Sequence, residues 1–215
     1  MRDKILQSIK ENKVVAILRN VDGEKVLSVA EALYAGGIRL LEITFNQDDF
    51  DSFGDTAKQI KMLCTVFEGK MYIGAGTVMT PEQVHIAKDA GASFIISPNV
   101  SRAVIEKTVA LGMVSIPGAM TPTEIVDARK YGADLVKVFP SANLGADYIK
   151  AIRSPLSNIP LVAVGGVDAS NVAAFANAGC CGFGIGGKLV NQEAIHNGNY
   201  AALTKTAEEI FAALQ

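Results

Sequence analysis

Two charged residues sit inside otherwise apolar runs: Lys137 in Leu135-Val136-Lys137-Val138, and Glu42 in Leu40-Leu41-Glu42-Ile43-Thr44. Read as β-strands, the runs put Leu40, Glu42 and Thr44 on one face of the first and Leu135, Lys137 and Phe139 on one face of the second. Lysine and glutamate are rarely fully buried unless paired. An ion pair that merely fixes the fold is one reading, but such pairs contribute little net stability. Desolvation, by contrast, lowers a lysine's pKa and leaves free amine near neutral pH. The expected chemistry is nucleophilic attack by Lys137 with acid/base help from Glu42.

Two glycine pairs, Gly165-Gly166 and Gly186-Gly187, suggest what a substrate carries. Either pair alone is only a tight turn. Each follows a short apolar run, and backbone N–H groups there, with the N-terminus of a following helix, can hold a phosphate without a basic side chain. Other polar residues close similar runs. Arg19 ends the first, and the second runs through Thr44 to Asn46. Thr77 follows Gly74-Ala75-Gly76, Pro98 lies in Ser97-Pro98-Asn99, and Phe139-Pro140-Ser141 follows Lys137.

These residues need a scaffold that brings strand ends together. The apolar, β-branched runs are 14–18, 40–44, 72–75, 94–97, 114–116, 135–138, 161–164 and 183–185, which makes eight candidate strands. Helical segments lie between them. Thr80-Pro81-Glu82-Gln83 and Thr121-Pro122-Thr123-Glu124 each offer a threonine N-cap, proline at the first helical position and a capping-box acceptor. Asp168 is expected to cap the helix carrying Val172 and Phe175. Gly36, Gly91, Gly112, Gly132 and Gly179 each end a helix in the left-handed conformation. Repeated strand, loop, helix and glycine is the βα unit, and eight units predict an α/β fold, a single (β/α)8 TIM barrel. An additional N-terminal helix, about Arg2 to Glu11, is expected to cap the barrel bottom. An open doubly wound sheet is the competing architecture. In the barrel, chemistry belongs at the C-terminal strand ends, where the residues above lie.

The 215 residues suit one domain spanning 1–215. A net charge of −2 without a basic block excludes a nucleic-acid surface. No stretch is long and apolar enough to span a membrane, and the charged Met1-Arg2-Asp3-Lys4 opening is not followed by a secretory apolar stretch. A cytoplasmic protein is expected. Cys64, Cys180 and Cys181 lack metal-ligand spacing, and adjacent Cys180-Cys181 reads as packing at a helix-to-strand junction rather than a redox pair. His85 and His196 read as surface or helix-packing residues. No metal or other cofactor is expected.

The ordered segments Leu41-Glu42-Ile43-Thr44, Gly74-Ala75-Gly76-Thr77-Val78, Ile96-Ser97-Pro98-Asn99, Ile116-Pro117-Gly118, Val136-Lys137-Val138-Phe139-Pro140 and Gly165-Gly166-Val167 give the sequence a specific likeness. It resembles the 2-keto-3-deoxy-6-phosphogluconate (KDPG) and 4-hydroxy-2-oxoglutarate aldolase family. That resemblance implies a class I aldolase with Lys137 as Schiff-base lysine and Glu42 as general acid/base. It puts Thr77 against the pyruvate-derived part and Pro98 and Phe139 on the pocket wall. Gly165, Gly166, Gly186 and Gly187 then hold the phosphate. A homotrimer is also implied. Three positions depart from the phosphogluconate pattern. Asn46 stands for a carboxylate-binding arginine, Lys188 for a serine and Val164 for a threonine. Asn46, Ala16-Ile17-Leu18-Arg19 and Ala163-Val164-Gly165-Gly166-Val167 look rather like the related 2-dehydro-3-deoxy-6-phosphogalactonate aldolases. Arg19 is expected to take over the carboxylate contact, with Thr44 and Asn46 completing the substrate-facing set.

The expected reaction cleaves a phosphorylated 2-keto acid, KDPG or its galactonate epimer, to pyruvate and glyceraldehyde 3-phosphate. It extends to cleavage of 4-hydroxy-2-oxoglutarate to pyruvate and glyoxylate. Two rivals stand beside it: a sugar-phosphate epimerase or thiamine-phosphate-type synthase, and a non-enzymatic sugar-phosphate-binding barrel. The first needs carboxylates, histidines or a metal where this chain offers one lysine, and the second has no use for Lys137 beside Glu42.

Overall fold

Strand alternation divides the apolar residues between two cores. In β1 (Val14–Leu18), Val14, Ala16 and Leu18 pack outward under the helices, while Val15 and Ile17 join an inner cluster. In β2 (Leu40–Thr44), Leu41 and Ile43 face outward and Leu40 inward. The remaining strands are β3 (Tyr72–Gly76), β4 (Phe94–Ile96), β5 (Val114–Ile116), β6 (Gly118–Ala119), β7 (Val136–Val138), β8 (Leu161–Val164) and β9 (Gly182–Ile185). All pair in parallel in the order β5-β4-β3-β2-β1-β9-β8-β7-β6. This is a computed structural model, and it describes residues 2–215; Met1, the first residue of the expected domain, lies outside the described residues.

The nine segments make eight barrel strands, because β5 and β6 are one strand broken at Pro117. A proline has no N–H to give a ladder. The chain turns there, so that β5 pairs with β4 and β6 with β7. Lys137 N donates to Pro117 O at 2.9 Å and Phe139 N to Ala119 O at 3.0 Å, which closes the ring. The barrel is the expected one, not the open sheet.

The N-terminal helix, Arg2–Asn12, stoppers one end. Its Ile5 and Ile9 are fully buried in the inner cluster with Val15, Leu40, Val114 and Val162. Arg2 Nη2 lies 2.6 Å from Asp134 Oδ1, while Asp134 Oδ2 accepts from Ser115 N at 2.9 Å, so the helix is fastened to the base of the strands.

Glycines inside strands make room for large inner side chains. A Cβ on Gly74 would lie 2.2 Å from the Phe94 ring, and one on Gly76 would lie 1.7 Å from Glu42 Oε1. Both capping boxes form, on Pro81–Asp89 and Pro122–Lys130. Two local expectations are corrected. Asp168 does not cap Val172–Asn177: its carboxylate accepts from Ser170 N and Oγ, and only its carbonyl meets Val172 N. The left-handed glycine after Val26–Ala35 is Gly37 (φ 96°), while Gly36 (φ −77°) leaves room for Ala207 and Thr204 of the C-terminal helix Tyr200–Ala213. His85 and His196 are exposed, and Cys180 is buried with its thiol pushed up to about 12 by burial.

Candidate active site

The strands' C-terminal ends surround a cavity of about 480 Å³. Lys137, Glu42, Arg19, Thr77, Pro98 and Phe139 line it together with the four glycines Gly165, Gly166, Gly186 and Gly187. Ten of the twelve expected residues therefore meet. Thr44 and Asn46 do not line the cavity. The Thr44 hydroxyl donates to Leu18 O of β1 at 3.2 Å, and the Asn46 side chain accepts from Asp48 N of its own loop at 3.1 Å. A cavity of about 280 Å³ at the opposite end, lined by Ser8, Asn12, Arg39, Lys70 and Tyr72 among others, offers no buried titratable pair.

Lys137 and Glu42 are both buried, at 7% and 1% exposure. They are not in ion-pair contact, since no nitrogen–oxygen approach within 4.0 Å joins them. The Lys137 ammonium lies 4.6 Å from the centre of the Phe139 ring. Glu42 Oε2 is fully buried and has no hydrogen-bond partner, an arrangement that costs about 1–3 kcal/mol and asks for a reason. Burial pushes the Lys137 pKa down; the Glu42 carboxylate opposes this and the Arg19 charge adds to it. Burial pushes Glu42 up, opposed by Lys137 and then Arg19. The two pKa values are thus drawn toward each other from opposite ends of the scale, as acid/base chemistry near neutral pH requires.

Arg19 reaches the cavity from the end of β1. Its Nη2 donates to Thr77 Oγ1 at 3.0 Å, and its carbonyl accepts from Gln192 at 2.9 Å. Thr77 has φ 55°, a left-handed backbone uncommon for a β-branched residue.

The glycine pairs differ from each other. Gly165 and Gly166 both have positive φ (93° and 74°), and a Cβ on Gly166 would come within 2.5 Å of Ala142. The buried Ser141 hydroxyl ties this loop to β7, donating to Val138 O at 2.7 Å and accepting from Val164 N at 3.1 Å. Gly186 and Gly187 have no such demand, and a Cβ on Gly187 would meet nothing within 4 Å. The helix N-termini expected beside the glycines lie farther along, at Val172 and Gln192, so the glycine backbone itself forms this wall. Lys188, exposed, also lines the cavity and lies near enough to Asp168 to help hold its carboxyl low, after the Ser170 hydrogen bonds. Gly184 and three apolar residues, Ile17, Val164 and Val167, complete the lining. The sequence pattern signalled these three only as inward-facing or strand-end apolar residues.

A parallel barrel whose strand ends converge on a desolvated lysine and a separated carboxyl defines an enzyme built for covalent amine catalysis. The sequence profile of KDPG and KHG aldolases matches residues 5–206. The 2-dehydro-3-deoxy-6-phosphogalactonate aldolase of Escherichia coli K12 is 37% identical over 177 residues, covering 82% of this chain and 83% of its own. A probable enzyme of the same description from Rhizobium meliloti is 39% identical, covering 87% and 86%. The crystal structure of KDPG aldolase from Legionella pneumophila, with pyruvate captured as a covalent carbinolamine intermediate, superposes with a TM-score of 0.83. That protein is 30% identical, with 93% and 94% of the two chains covered. The chain belongs to the KDPG and KHG aldolase family and is a class I aldolase, a carbon–carbon lyase. Family membership sets aside the epimerase, synthase and binding-protein readings. No helix among the described residues is long and apolar enough to cross a membrane.

Proposed function

We propose that the chain cleaves a 2-keto-3-deoxy-6-phospho sugar acid, the gluconate or galactonate compound, to pyruvate and glyceraldehyde 3-phosphate through an imine on Lys137. The cleavage of 4-hydroxy-2-oxoglutarate to pyruvate and glyoxylate follows the same course. The observation that carries this reading is the buried Lys137–Glu42 pair, facing one cavity without touching, with a carboxylate oxygen left unpartnered. In this reading the gap holds the reacting carbons and a bridging water.

Neutral Lys137 attacks the C2 ketone, and water leaves to give an iminium. Glu42 takes the C4 hydroxyl proton, the C3–C4 bond breaks, and its electron pair passes into the iminium to form an enamine. The aldehyde departs; C3 is then protonated, and hydrolysis frees pyruvate and Lys137. Arg19 and Thr77 hold the carboxylate, Pro98 and Phe139 wall the pyruvate end, and the four glycines with Lys188 take the phosphate. Thr44 and Asn46 support this site from outside the cavity.

Borohydride reduction with pyruvate, followed by peptide mass spectrometry, tests the reading. An adduct confined to the Lys137 peptide is expected, together with inactivity of Lys137→Ala. Glu42→Gln should lower turnover by about 10² to 10⁴ while still trapping pyruvate. No adduct in folded protein at saturating pyruvate would remove the proposal. We further propose a cytoplasmic homotrimer, for which sedimentation should give three times the 22.7 kDa chain mass. The monomer mass would exclude it.

A further inference from the structure

The chain carries the same capping device twice, with one difference. Met120-Thr121-Pro122-Thr123-Glu124 uses an exposed Glu124 Oε2 to accept from Met120 N and Thr121 N, both at 2.8 Å. Met79-Thr80-Pro81-Glu82-Gln83 uses Gln83 Oε1 to accept from Met79 N at 2.6 Å and Thr80 N at 3.1 Å. Both residues cap, but only the amide keeps a donor in hand, and Gln83 is 1% exposed.

That donor is used. With Gln83 Oε1 committed to the helix, Nε2 donates to Gln47 Oε1 at 3.1 Å. Gln47 must then turn its own Nε2 outward, and it donates to Thr77 O at 2.7 Å. Thr77 is the residue with positive φ, and its Oγ1 accepts from Arg19 at 3.0 Å. A β-branched residue held there is strained and persists only when its surroundings over-determine it. The helix cap fixes the donor directions from Gln83 to Gln47 and from Gln47 to the Thr77 carbonyl, and Arg19 donates to the Thr77 hydroxyl from the cavity side.

We propose that Gln83 and Gln47 are positioning residues that set Thr77, and through it Arg19, for binding the substrate carboxylate. This rests on the proposed role of Arg19, and the test separates the two. Gln47→Met removes the relay without touching the cap and should raise the KM for pyruvate in imine formation about tenfold, with kcat changing by less. Gln83→Glu keeps the cap acceptor. Its KM should match wild type at low pH, where the introduced carboxyl can still donate, and rise as that group ionises; a role confined to capping gives no such pH dependence. Arg19→Met is the control. A raised KM in Arg19→Met with wild-type KM in Gln47→Met, or a flat pH profile in Gln83→Glu, would overturn the relay. An unchanged KM in Arg19→Met would overturn the Arg19 reading instead.

Discussion

The two buried charges at the cavity floor respond to each other in a signed way that titration can read. Lys137 is driven down by burial, with Glu42 pulling it back and Arg19 pushing it further. Its free-amine fraction, and hence the imine-forming rate with pyruvate, should rise with pH through an apparent pKa below the ordinary 10.5. Glu42→Gln removes the opposing carboxylate and should move that pKa lower still. Arg19→Met should move it higher, and a shift of either variant in the other direction would contradict the electrostatic account. Gly187 answers a different question. The protein does not require a glycine there, since an added Cβ meets nothing within 4 Å. Gly187→Ala should therefore fold with wild-type stability yet raise the KM for the phosphorylated substrate about tenfold, a loss of about 1.4 kcal/mol. Imine formation with pyruvate, which carries no phosphate, should be unaffected.

Among elements, the two Thr-Pro helix starts are where sequence and structure agree most closely. Both Thr-Pro capping boxes form because their signals are local and complete within four residues. Thr121→Ala should lower unfolding free energy by about 1 kcal/mol, measured by urea denaturation, without changing kcat. The strands were legible for a similar reason: both faces are covered, so their apolar runs are nearly continuous. Lys137 and Glu42 stood out against those runs, and strand parity turned them to one interior. Parity does not resolve strand ends, where the Thr44 hydroxyl turns to the Leu18 carbonyl of the neighbouring strand and the Asn46 side chain bonds its own loop. The Pro117 break was hidden, since a run of three residues followed by Pro-Gly reads as a strand that simply stops. In the sequence, Gly74 and Gly76 lie in and at the end of the third strand with no role assigned. Their purpose, clearing space for Phe94 and Glu42 across the barrel, depends on partners far away in sequence.

For the whole molecule, the proposal that residues 1–215 form one domain predicts a single unfolding transition followed by any probe. The N-terminal helix belongs to that unit, because Ile5 and Ile9 complete the inner core rather than rest on it. Ile9→Ala should cost about 2–5 kcal/mol and shift the entire transition. A separate early transition of the helix would show that it docks independently. The tether to Lys137 governs traffic. With the lower end filled by isoleucines and the active-site cavity at the strand ends, pyruvate in the proposed reaction stays bound to Lys137 until its imine is hydrolysed. The aldehyde must leave first and the keto acid last, so the order of product departure is written into the architecture before any chemistry begins.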